Sequence, residues 1–140
     1  MRAVNDQDHR PDVSRERAAA NRLRALLVAE LVLFALASLL HRGILANGFE
    51  HARAAIAESI VALVLAIGLA ISVYSPNEAR PAALWTQGFA LLGVCIGIAM
   101  ILIGVGPHTG LDYGIHAAMA VTLITGLVVA RRVSPPKPLI

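Results

Sequence analysis

The sequence predicts an all-α membrane protein with four transmembrane helices in an up-down antiparallel bundle. Of its 140 residues, 57% are hydrophobic, and the mean hydropathy is +0.70, whereas a soluble domain usually contains about 45–50% apolar residues. The apolar residues fall in four runs, each close to the ~20 residues that a helix needs to cross the hydrocarbon core. The runs are joined by short connections, which favour antiparallel neighbours.

The chain begins with a polar leader, residues 1–22, of mixed charge. We expect it to be partly disordered because it has little apolar surface to bury, although a helix that starts near Ser14 and continues into the membrane fits the pattern. The first span is predicted at about residues 23–40. Its Ala35-Leu36-Ala37 is similar to a signal-peptidase site, but Glu30 interrupts the apolar run and three more spans follow, so we expect the segment to be retained.

The other three spans are predicted from the remaining apolar runs and the turn residues between them. Asn47-Gly48 is a typical turn pair, and Pro81 suits the first turn of a helix. Arg131-Arg132 ends the last run, and a proline-rich tail, residues 131–140, cannot continue a helix. The transmembrane domain is therefore predicted at 23–130, with its later spans at about 52–74, 82–105 and 111–130.

The basic residues predict how the chain is oriented. Ten of the twelve lysines and arginines lie in the chain up to Arg24, the second connection and the tail, and only Arg42 and Arg53 lie on the opposite side. The positive-inside rule then predicts that both termini are cytoplasmic, in a multi-pass protein of the bacterial inner-membrane type. The basic residues are suited to contact the anionic headgroups of the lipid bilayer, which is the expected partner. No motif indicates binding to nucleic acid.

Four polar side chains interrupt the predicted spans and fall into two layers at about 1.5 Å of rise per residue. Glu30 and Gln87 lie toward the cytoplasmic side, where a packing role or a place at the lipid interface is expected. Glu58 and His116 lie toward the outer side and are expected to face each other, because a carboxylate inside the membrane is costly unless it is paired.

The outer layer is compatible with three interpretations. Glu58 and His116 can form a hydrogen-bonded lock between helices, or they can exchange a proton or an ion, since histidine titrates near neutrality. The third interpretation is a metal site at His51, Asp112 and His116, since imidazole and carboxylate bind transition metals. The remaining histidines on that side, His41 and His108, are expected to be solvated in loops.

Small residues predict where helices approach closely. Gly93, Gly97 and Gly104 mark one face of the third span, and Ala62 and Ala66 mark a face of the second. Such faces serve contacts within the bundle, a homo-oligomer, or docking on a larger membrane complex. The lone cysteine, Cys95, lies in the third span, where a small apolar side chain is expected to pack.

No nucleotide-binding, hydrolase or haem-attachment motif is present, so the sequence favours a function other than catalysis. The first hypothesis is that the protein moves a proton, an ion or a small solute through a polar site formed by Glu58, His116, Glu30 and Gln87. The second is a non-catalytic membrane subunit, and the third is an outer-face metal or haem binder, although no motif identifies a cofactor.

Small multidrug transporters are also four-helix proteins with a glutamate in the first span. The chain resembles them through Glu30 alone, and we assign no membership.

Overall fold

A computed structural model of the chain describes residues 13–106 and 108–133, apart from the side chains of residues 13, 14 and 16. Each of its four α-helices is long and apolar enough to cross a membrane, and they pack against one another. The predicted fold class, an all-α bundle of four membrane helices, is therefore confirmed. The helices are α1 (Val13–His41), α2 (Ala52–Tyr74), α3 (Ala79–Leu102) and α4 (Gly110–Arg132).

The helices form a four-membered ring in chain order. Each packs against the next along the chain, and α4 closes the ring against α1. We call the end with the α1–α2 and α3–α4 loops the distal end. The proximal end carries the start of α1, the end of α4 and a short 3-10 turn, Pro76–Glu78, between α2 and α3. The centre of the ring is filled by large buried side chains, among them Leu23, Leu27, Phe34, Leu65, Met119 and Leu123.

The outer surface of the bundle is apolar, as contact with lipid requires. Many isoleucine, leucine and valine side chains on all four helices are exposed, as is Cys95 on α3. Tyr74 and Trp85 are 86% and 80% exposed near the proximal end, and large amphipathic rings are typical of the membrane interface. The four helices therefore make a multi-pass membrane protein.

The helix bounds differ from the predicted spans mainly at the first and third helices. α1 begins at Val13, inside the predicted leader, while residues 1–12 lie outside the described part of the chain. α3 begins and ends earlier than the predicted 82–105, and α4 extends to Arg132, past the predicted 130. The second helix covers the residues predicted for it.

Gly104 corrects one prediction of helix packing. It lies beyond the end of α3 with a φ of +85°, in the left-handed region where glycine is favoured. The amide of Val105 donates to the Met100 carbonyl (2.9 Å), which ends the helix, and no other group lies within 4 Å of a Cβ built on Gly104. Gly104 is therefore a helix terminator and not part of a packing face.

The other predicted packing residues lie inside or beside the bundle. A Cβ on Gly93 would stand 3.3 Å from Val61 of α2, and one on Gly97 would stand 2.7 Å from His116 Nε2 of α4. Ala62 packs against the buried core, and Ala66 is half-buried. The two glycines thus serve contacts between helices of one chain, and a contact between copies stays a prediction.

Candidate functional site

Buried polar side chains form one cluster near each end of the bundle. The distal triad consists of His41 on α1, Glu58 on α2 and Asp112 on α4, which are 1%, 7% and 0% exposed. The proximal pair consists of Glu30 on α1 and Gln87 on α3, both 0% exposed. Buried polar groups of this kind are tolerated only when they are hydrogen-bonded, so the partners of each group indicate what the clusters can do.

His41 bridges two carboxylates on two other helices. Its Nδ1 lies 2.8 Å from Oε2 and 3.0 Å from Oε1 of Glu58. Its Nε2 lies 3.0 Å from Oδ1 of Asp112. One imidazole therefore connects α1 with both α2 and α4 at the distal end.

The backbone at the distal end holds all three groups in place. α1 ends immediately after His41 because Gly43 adopts a φ of +71°, and the His51 amide donates to the His41 carbonyl (2.8 Å). Asp112 is the third residue of α4 and forms a capping box with Thr109. Its Oδ2 accepts hydrogen bonds from the Thr109 amide (3.0 Å) and from the Thr109 hydroxyl. Both oxygens of Asp112 are thus engaged.

The number of protons in the triad follows from this geometry. A ring nitrogen facing a carboxylate oxygen is favourable only if a proton lies between them. Two such contacts require two protons, held either by an imidazolium between two carboxylates or by a neutral imidazole beside one carboxylic acid. Both arrangements carry one net negative charge and differ only in the position of a proton, so the triad is a short path along which a proton can shift.

A layer of hydroxyl groups and one cation lies beside the triad. Ser38 and Ser59 share a hydrogen bond of 2.7 Å, and each hydroxyl also lies within hydrogen-bond distance of the Ala55 carbonyl. Arg42 donates from Nη2 to the Ser59 hydroxyl (3.0 Å). The Arg42 side chain thereby connects the end of α1 with Ser59 of α2.

Glu58 is the member of the triad that reaches open space. Its side chain is 9% exposed, whereas those of His41 and Asp112 are fully buried. It lines a small cavity of about 80 Å³ together with His116. His116 Nδ1 lies 2.8 Å from the Asp112 carbonyl, which only accepts, so Nδ1 carries the proton. In the neutral ring, Nε2 is then left as an acceptor beside Gly97.

Two predictions about the outer layer need correction. Glu58 and His116 do line the same cavity, but the hydrogen-bond partner of Glu58 is His41. His41 was expected to be solvated in a loop and is buried instead, because α1 continues through residue 41. The sequence signal for the burial of His41 is its position directly after the apolar run that ends at Leu40, where the helix can continue for one more residue. His108, in contrast, is exposed as expected.

The residues predicted as metal ligands do not form a ligand set. Both oxygens of Asp112 are engaged, and His51 Nδ1 accepts from the Ala54 amide (3.2 Å) as the N-cap of α2. Within residues 13–106 and 108–133, no three histidine, cysteine, aspartate or glutamate side chains are placed to hold a metal ion. The geometry therefore gives no support to His51, Asp112 and His116 as a shared site.

The proximal pair is more deeply buried than its sequence position indicated. Gln87 Nε2 lies 3.1 Å from each oxygen of Glu30, and a Cβ on Gly126 of α4 would collide with both side chains. Of the two roles expected for Glu30 and Gln87, packing agrees with their burial and a place at the lipid interface does not, because Gly126 lets α4 approach and cover them. Gln87 Oε1 is buried and has no partner in the described part of the chain.

An apolar layer separates the two clusters. On α1 the buried residues between Glu30 and His41 include Phe34 and Ala37, and on α4 Met119 and Leu123 lie between Asp112 and Gly126. Val61, Leu65 and Val94 complete the layer on α2 and α3. In the described chain, buried polar side chains therefore do not form a continuous path from one end of the bundle to the other.

Comparison with known proteins adds no further constraint on the function. No protein-family model matches the chain, and neither a curated protein nor a solved structure is significantly similar to it.

Proposed function

We propose that the protein exchanges protons at the distal triad and moves a proton, alone or with an ion or small solute, across the membrane. The observation that carries this proposal is the double engagement of His41, whose two ring nitrogens contact carboxylates on two different helices. An imidazole held in this way can receive a proton from one carboxylate and pass one to the other. On the predicted orientation, with both termini cytoplasmic, this exchange occurs near the outer face.

Glu58 is the residue through which protons enter the triad in this proposal. It borders the small cavity, while the other two members are sealed. His116 stands across the same cavity with Nε2 able to accept a proton, so it is suited to deliver protons to Glu58.

The apolar layer between the clusters determines the kind of transport. An open pore would need a hydrated or polar path, and the centre of the bundle is filled by groups such as Phe34 and Met119. We therefore propose that proton exchange is coupled to a rearrangement of the helices. The distal triad is the first site on the proton's route, and the proximal pair, Glu30 and Gln87, is the second. Secondary transporters generally work by helix rearrangements that open the binding site to one side of the membrane at a time.

Glu58→Gln is the direct test of this function. The amide keeps the size of the side chain but does not ionise, so we expect proton flux into proteoliposomes to fall about tenfold or more. The flux is measured with an entrapped pH-sensitive dye under an imposed potassium-diffusion potential. Glu50→Gln is the matched control, because Glu50 is exposed at the same end and its side chain accepts from the Gly48 amide.

Wild-type flux in Glu58→Gln would contradict the proposal, and no flux in the wild-type protein under the same potential would exclude movement of a proton alone. The second result would favour the alternative function, a non-catalytic subunit that docks on a larger membrane complex. The observation in favour of that alternative is the apolar layer, since a subunit that only supports a partner needs no path between its polar clusters. Recovery of a stoichiometric partner from native membranes in mild detergent would then identify the complex.

A further inference from the structure

A large groove runs between the distal halves of α2 and α3. Its volume is about 430 Å³, within the ~300–1,000 Å³ typical of small-molecule sites. Its walls are almost entirely apolar and include Ala57, Ile60, Phe89, Leu92, Ile96 and Met100. This groove adjoins the small cavity beside Glu58 and shares six lining residues with it, namely Ala54, Ala57, Val61, Gly93, Gly97 and His116.

The groove opens toward the lipid. Ile60, Leu92 and Ile96 on its walls are 51%, 60% and 55% exposed on the outer surface of the bundle. Gly93 and Gly97 also line it, and a Cβ at these positions would meet Val61 and His116 respectively. A molecule dissolved in the membrane can therefore enter from the side, in the leaflet at the distal end.

The distal rim of the groove is basic. Arg53 and His51 line it there, and no carboxylate is among the lining residues. Arg53 is exposed and makes no hydrogen bond or ion pair with another residue in the described ranges. The nearest acid in the sequence, Glu50, accepts instead from the Gly48 amide (2.9 Å). An unpaired guanidinium thus stands at one end of a long apolar surface.

We propose that the groove binds one acyl chain of an anionic phospholipid, whose phosphate contacts Arg53. The apolar walls match the chain, the lateral opening matches entry from the leaflet, and the guanidinium at the rim matches a phosphate at interface depth. A neutral apolar molecule would leave Arg53 without a counterion. None of the triad residues lines the groove, although His116, which borders the small cavity beside Glu58, also lines it.

The headgroup is tested by native mass spectrometry of the whole protein in detergent micelles doped with phosphatidylglycerol or with phosphatidylcholine of the same chains. We expect one phosphatidylglycerol to bind about fivefold more tightly, because the choline of phosphatidylcholine offsets the charge of the phosphate that Arg53 contacts. Arg53→Gln should abolish that preference, and Arg131→Gln, a matched change at the proximal end, should retain it. Equal binding of the two lipids by the wild type, or an unchanged preference in Arg53→Gln, would overturn the proposal.

The acyl-chain site is tested in the same experiment by filling the groove. Ala57→Leu adds bulk to its wall and should weaken binding of both lipids, whereas Ala70→Leu, on the exposed proximal part of α2, should not. Equal lipid binding by Ala57→Leu and the wild type would contradict this site. A wild-type dimer that Ala57→Leu converts into a monomer would also contradict it, because a second copy of the chain would then be the occupant.

Discussion

His41→Leu is expected to lower the free energy of unfolding by about 3 kcal/mol, the scale seen when one partner of a buried ionic contact is removed. Leucine cannot donate to either carboxylate. Glu58 loses the one partner that the structure gives it, and Asp112 keeps only its bonds to Thr109. Each buried carboxylate then lacks the hydrogen bond that the imidazole had supplied. Unfolding is measured by titration with SDS in mixed micelles.

The matched control for this experiment is His108→Leu. His108 is exposed in the α3–α4 loop, and surface substitutions of this kind usually change stability by less than about 0.5 kcal/mol. Adding Glu58→Leu to His41→Leu should restore part of the lost stability, because it removes one of the stranded carboxylates. Equal stability of His41→Leu and His108→Leu would mean that the imidazole does not bridge the two acids.

Gly126→Ala is expected to lower the free energy of unfolding by about 1–3 kcal/mol, the usual cost of overpacking a buried position. The added methyl group collides with Gln87 Nε2 and Glu30 Oε1 and must push α4 away from the proximal pair. The effect is large for one methyl group because the atoms it meets are held by their own hydrogen bonds. The same SDS titration measures it.

Gly114→Ala provides an opposite control on the same helix. A Cβ at Gly114 meets no other group within 4 Å, so the change should stabilise the helix by about 0.4–1 kcal/mol through the reduced entropy of the unfolded chain. The two substitutions are chemically identical and differ only in what lies opposite. If both changed stability in the same direction, close packing of α4 on Glu30 and Gln87 would be disproved.

The bundle could be predicted from sequence because its physical basis is local. A span of about 20 apolar residues forms a helix in lipid whatever surrounds it, and α2 occupies the residues that its apolar run predicted. The errors fall where polar helix ends are involved. α3 begins at Ala79, ahead of the predicted residue 82, and Gly104 ends it inside the run assigned to it, whereas the start of α1 at Val13 agrees with the helix expected from about Ser14.

The sequence predicted which polar side chains lie at the same depth in the bundle, but it did not predict which of them form hydrogen bonds with each other. Estimates of depth correctly separated Glu30 and Gln87 from Glu58 and His116, because rise per residue is nearly constant in a helix. The hydrogen-bond partner of Glu58 depends on how far α1 extends and on how each helix is rotated about its axis. An estimate of depth gives neither quantity. His41 was therefore assigned to solvent, although the structure places it between Glu58 and Asp112.

Nitrogen-15 NMR of histidine-labelled protein in lipid shows whether His41 carries a hydrogen bond on each ring nitrogen. His41→Leu identifies the His41 signals by their loss. We predict that both ring nitrogens are hydrogen-bonded, that Glu58→Gln shifts the Nδ1 signal and that Asp112→Asn shifts the Nε2 signal. A neutral ring with one nitrogen free, unaffected by either substitution, would mean that His41 does not bridge Glu58 and Asp112.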